Sequence, residues 1–109
     1  MDMSSLVENR KARFDYNILE IYEAGIELKG YEVKAVKSGK LNIAGTFAVL
    51  RGGELWLLGA EIAPYQAGNV PLDYDSKRSR RLLLRREEII ELVGKIKERG
   101  LTILPLKVY

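Results

Sequence analysis

Asp15-Tyr16-Asn17-Ile18-Leu19-Glu20-Ile21-Tyr22-Glu23-Ala24-Gly25-Ile26-Glu27-Leu28 is the stretch on which the fold turns. Tyr16, Ile18 and Tyr22 alternate with Leu19, Ile21 and Glu23, the period of an extended strand with apolar character on both faces. Gly25 interrupts it, and an isolated glycine inside a strand predicts a bulge or bend. A long first strand bent at mid-length suits a small closed barrel.

The flanking sequence extends this pattern. Residues 1–9 are polar and are expected to be flexible. Tyr31–Ser38 predicts a short helix, with Val33 and Val36 as its apolar pair and Gly39 as its stop. Thr46–Leu50 and Glu54–Leu58 flank Arg51-Gly52-Gly53, a hairpin signal. Trp56 in the second arm is expected to pack in or over the core, with a base-stacking platform as the alternative. Residues 64–81 show no period and predict a long loop. From Glu87 to Arg99, Ile89, Ile90, Leu92, Val93 and Ile96 form a helical stripe closed by Gly100. Leu101–Tyr109 predicts a final strand, with Pro105 placing it at an edge or bulge. The fold class that results is mainly β: a small antiparallel barrel of the oligonucleotide-binding type with two or three peripheral helices.

The chain has 109 residues, enough for one domain with a single core, and its 47% apolar and 30% charged content is that of a globular protein. With no cysteine and no histidine, the thiol nucleophile, the usual general base and the usual zinc ligands are missing. No serine stands in a Gly-x-Ser-x-Gly setting. No enzymatic activity, cofactor or metal is expected. No run reaches the roughly 20 apolar residues of a membrane span, and residues 1–9 hold no signal core, so a cytoplasmic protein is expected.

Charge gives the positive signal. Lys77, Arg78, Arg80, Arg81, Arg85 and Arg86 fall within ten consecutive positions with no acid among them. The whole chain carries only +3, so the rest of it is net negative. Cations gathered on one segment are the footprint of a polyanion site, nucleic acid above all.

Three blocks add a resemblance. Asn9-Arg10-Lys11-Ala12-Arg13 precedes Asp15-Tyr16 and Tyr22-Glu23-Ala24-Gly25-Ile26. Leu28-Lys29-Gly30 leads to Glu32-Val33-Lys34 and Gly39-Lys40-Leu41-Asn42. Arg80-Arg81-Leu82-Leu83-Leu84 is followed by Gly94-Lys95 and Gly100-Leu101-Thr102. In this order and spacing, from about Val7 to Tyr109, they resemble small protein B, the SsrA-binding family of bacterial trans-translation.

The resemblance implies an oligonucleotide-binding barrel that binds the transfer-RNA-like domain of transfer-messenger RNA and delivers it to stalled ribosomes for rescue and peptide tagging. It implies transfer-messenger RNA and the ribosome as partners, with no membrane and no small-molecule substrate. Glu23 and Leu83 match family residues implicated in holding the RNA, with a purely structural role for Glu23 and core packing for Leu83 as the alternatives. Arg10, Lys11, Arg13, Lys34, Lys40, Arg78, Arg80, Arg81 and Arg85 are expected to neutralise phosphates. Asn9 and Tyr16 belong to the same blocks, and Asn42 is expected to read a base or ribose edge. Glu32 matches the family pattern as a structural residue. Phe14 and Arg85 stand where the family often has histidine, and Ala44-Gly45-Thr46-Phe47 replaces an Asp-Ser-Tyr pattern.

Family members continue past Tyr109 with further strands and a basic tail. The expectation is therefore a single RNA-binding barrel over 10–109, truncated relative to the family. Such a chain is expected to be a monomer whose last strand offers an edge for self-association. Two other functions fit the residues: a generic single-strand-binding barrel, or a protein-interaction module docking an acidic partner through the basic loop.

Overall fold

The computed structural model describes residues 6–109. Its strands are β1 (Val7–Glu8), β2 (Gly25–Ile26), β3 (Leu41–Asn42), β4 (Phe47–Arg51), β5 (Glu54–Leu58), β6 (Glu61–Ile62), β7 (Arg80–Leu83) and β8 (Lys107–Val108). Its helices are α1 (Arg10–Asp15), α2 (Gly30–Lys37) and α3 (Arg86–Arg99). All strand pairs are antiparallel, in one four-stranded sheet ordered β2-β7-β5-β4 and two ladders, β1-β8 and β3-β6. The mainly β class with surrounding helices stands. The ladders do not close into a single barrel: β4 reaches the C-terminal segment only through an isolated bridge, Ala48 to Ile103.

The β4–β5 hairpin follows its sequence closely. Arg51 pairs with Glu54, leaving Gly52 and Gly53 as a two-residue turn at φ 61° and 79°. Both angles are positive, which glycine supplies without steric cost. Leu55 and Leu57 point into the core while Trp56 faces the other way, half-buried between Val49 and Arg81 in the register. The core joins Ala35 and Val36 of α2 to Leu41, Ile43, Leu57, Ala60 and Ile62, with Val7, Ile26, Leu28, Leu82 and Val108 packed around it.

The opening strand does not form as expected. Residues 10–15 are helix, 17–24 have no regular structure, and only Gly25–Ile26 pairs, with Leu82–Leu83. Leu19 and Ile21 are exposed because no neighbouring strand lies along that segment to cover them. Gly25 is where pairing becomes possible: a Cβ there would meet Leu83 Cβ at 3.3 Å, closer than ordinary contact.

Other boundaries differ for local reasons. Residues 7–9, expected to be flexible, are held by hydrogen bonds from Leu6 N to Val108 O and from Asn9 N to Leu106 O, each 2.7 Å. Residues 1–5 of that expectation lie outside the described residues. The final strand is reduced to Lys107–Val108, and its partner is β1. α3 buries only Leu92 of its stripe, and Ile90 is 62% exposed. The helix ends where Gly100 turns to φ 63°.

Candidate nucleic-acid interface

The basic run of 77–86 is divided by the fold. Arg80 is fully buried, with an exposure of 0%. Its guanidinium donates to Glu32 Oε2 from Nε at 3.1 Å and from Nη2 at 2.6 Å, and to the carbonyls of Ala60, Arg78 and Ser76. Arg78 donates to both carboxylate oxygens of Glu32. The Tyr74 hydroxyl donates to Ile62 O at 2.8 Å and also lies 3.2 Å from Glu32 Oε2. One buried carboxylate thus fastens β7 and the loop before it to α2.

Two expected contacts are corrected here. Arg80 has no surface and no free donor for phosphate, and Arg78 is largely engaged by Glu32. Arg81 is partly exposed and held by Glu27 and Glu54, each at 2.8 Å. Arg85, Arg86 and Lys77 remain exposed, with Arg85 3.5 Å from Glu88.

α1 supplies a second basic surface. Arg10, Lys11 and Arg13 are all exposed. The helix is anchored by Asn9, whose Oδ1 accepts from Ala12 N at 3.2 Å, a helix N-cap. Its Nδ2 donates to Pro105 O at 2.9 Å and to Ile43 O at 3.4 Å. Asn9 is 5% exposed, so it positions α1 rather than meeting RNA, a further correction. Beside α1 lies a cleft of about 490 Å³ bounded by Lys11, Asp15, Tyr16, the turn Ala44–Phe47, Thr102 and Leu104. Tyr16 and Phe47 are about half exposed along it. Phe47 carried no site assignment from sequence; the signal available was an aromatic directly after a glycine turn that follows Asn42.

The remaining residues are Glu23, Leu83, Lys34, Lys40 and Asn42. Glu23 is exposed and accepts from the Tyr109 hydroxyl, while Leu83 is 46% exposed beside Gly25, on the surface rather than in the core. Lys34 is exposed on α2. Lys40 lies over the Tyr65 ring at 5.7 Å, and two residues on, Asn42 Oδ1 accepts from Ala44 N at 3.0 Å, shaping the turn that walls the cleft. Among the described residues no cluster of acids suits a metal ion, and no helix is long and apolar enough to cross a membrane.

Comparison with known proteins identifies the family and agrees with the fold. A family model described as SmpB protein matches residues 6–109. An SsrA-binding protein of Gloeothece citriformis is 48% identical over 104 residues, covering 95% of this chain and 67% of that one. An SsrA-binding protein of Synechocystis is 50% identical over 102 residues, covering 94% and 66%. This chain therefore spans about two thirds of the length of such relatives. A solved structure described as "tmRNA-SmpB: a journey to the center of the bacterial ribosome" is 50% identical, with a TM-score of 0.73 over 94% of this chain and 71% of that one.

Proposed function

Because the chain belongs to the SmpB protein family, we propose that it binds the transfer-RNA-like domain of transfer-messenger RNA and carries it to stalled ribosomes. The observation that carries this reading is the family match over residues 6–109, which includes the exposed cations of α1. The protein works by binding, without a chemical step, in the cytoplasm. Arg10, Lys11 and Arg13 meet phosphates, with Lys34, Lys40 and Arg85 extending the field. Glu23 and Leu83 form a separate contact at the β2–β7 edge, Glu23 accepting from base or ribose donors and Leu83 covering an unstacked base. The RNA-binding unit includes β1 and Asn9, which pair with β8 and cap α1, and so begins before residue 10.

Competition in a filter-binding assay tests this. The folded transfer-RNA-like domain should displace a labelled copy of itself well before poly-pyrimidine strands or heparin do. Poly-pyrimidine winning would make the chain a general single-strand binder. Heparin winning would leave only a charge surface for an acidic partner.

A further inference from the structure

We propose that the cleft between α1 and the Ala44–Phe47 turn holds a single unstacked RNA base against the rings of Tyr16 and Phe47, a proposal that rests on the RNA-binding reading above. Four observations point there. The volume of about 490 Å³ lies within the range of roughly 300–1,000 Å³ that compact planar ligands occupy. Tyr16 at 51% and Phe47 at 46% exposure present ring surface to solvent along one cleft, although aromatic area left in water is unfavourable. Proteins that read single-stranded RNA stack splayed bases on such rings.

The walls are also fixed in advance. Thr46 Oγ1 donates to Ile43 O at 2.7 Å, and Asn9 Nδ2 reaches the same carbonyl from the α1 side at 3.4 Å. One backbone oxygen therefore ties both walls together, so little ordering is lost when a ligand enters.

The last observation is charge. Arg10 and Arg13 share the other face of α1 and, with Lys107, border a second hollow of about 100 Å³ that also includes Glu8. That hollow is too small for a base and is rich in cations, while Lys11 stands in the larger cleft. A base on one side of α1 and backbone phosphates on the other match a nucleotide strand crossing the helix.

The base has two possible sources, transfer-messenger RNA or ribosomal RNA, and two binding assays separate them: filter binding to the folded transfer-RNA-like domain, and co-sedimentation with small ribosomal subunits. Tyr16→Leu and Phe47→Leu should each weaken one assay by about 5- to 150-fold, the range expected for loss of one stacked base. Tyr16→Phe and Phe47→Tyr should restore it, since either ring stacks. The salt dependence should keep its slope, because no phosphate contact is removed. Both leucine variants binding both RNAs within about twofold of the parent chain would overturn the cleft proposal while leaving the RNA-binding reading intact. A parent chain that binds neither RNA ends that reading and the cleft's ligand with it. A photo-crosslinking benzoylphenylalanine at position 47 keeps an aromatic ring there and does not depend on the leucine variants folding. It should attach to one nucleotide, and failure to crosslink RNA would equally overturn the proposal.

Discussion

At the scale of single residues, Glu32 organises more of the molecule than any exposed cation. Its carboxylate is 1% exposed. Burial alone would push its pKa up, but hydrogen bonds from Arg78, from the Lys29 backbone N–H and from Arg80 outweigh that and lower it from 4.5 to about 2. The folded value lies below the unfolded one. The stabilisation is therefore complete above about pH 5 and is lost as pH falls through 4.5 toward 2. A shift of that size corresponds to roughly 3 kcal/mol. Glu32→Gln should cost about 3–5 kcal/mol at neutral pH, because it leaves two guanidiniums short of a counter-charge. The variant's melting temperature should also fall less than the parent's between pH 5 and 2. Equal acid sensitivity in the two chains would show that Glu32 does not carry the effect. Lys77→Ala, at an exposed cation of the same run, should leave melting unchanged.

At the scale of elements, what was legible in the sequence was whatever chemistry specified locally. Gly52-Gly53 fixes its turn by backbone freedom, and Gly100 ends α3 in the same way, so both boundaries could be read directly. α1 could not: it is six residues long, lacks an apolar stripe, and exists because Asn9 ties it to Ile43 and Pro105, the latter 96 positions away. Ile18–Tyr22 was misread because alternating apolar residues look like a strand whether or not a partner lies alongside. The first half of β7 fell inside the loop expected over 64–81, and the strand was not foreseen because its pairing is with β5 and β2, both distant in sequence. The dependence of α1 on Asn9 can be measured. Asn9→Ala should destabilise by about 1–3 kcal/mol in urea, from a lost cap and lost amide donors. Asn9→Asp keeps the cap but sets a carboxylate against two carbonyl oxygens, so it should be no more stable than alanine. Recovery by aspartate would mean the cap alone holds the helix.

At the scale of the whole molecule, folding divides the basic run that the sequence shows as one segment. Six cations within ten acid-free positions look like one patch on paper, because sequence shows the cations and not the acids that folding brings to them. Glu32 comes from α2, Glu27 from just after β2 and Glu54 from β5, and together they engage Arg78, Arg80 and Arg81. Glu8 approaches Arg10 at 3.5 Å on the surface, with the Arg10 side chain 91% exposed, and no ion pair to Lys11 or Arg13 occurs among the described residues. Such an exposed pair contributes little. The phosphate-binding field should therefore come chiefly from α1. With about five phosphate contacts, log affinity for the folded transfer-RNA-like domain should fall with log salt at a slope of roughly −3 to −5. Replacing Arg10, Lys11 and Arg13 together by alanine should flatten that slope by about 2–3, since each contact contributes about 0.7–0.9. Arg81→Ala should change it by less than about one contact's share, because Glu27 and Glu54 already engage that guanidinium. A triple variant with the parent slope, or an Arg81→Ala variant that flattens it as far as the triple does, would return the interface to the β7 run and show that RNA displaces those acids on binding.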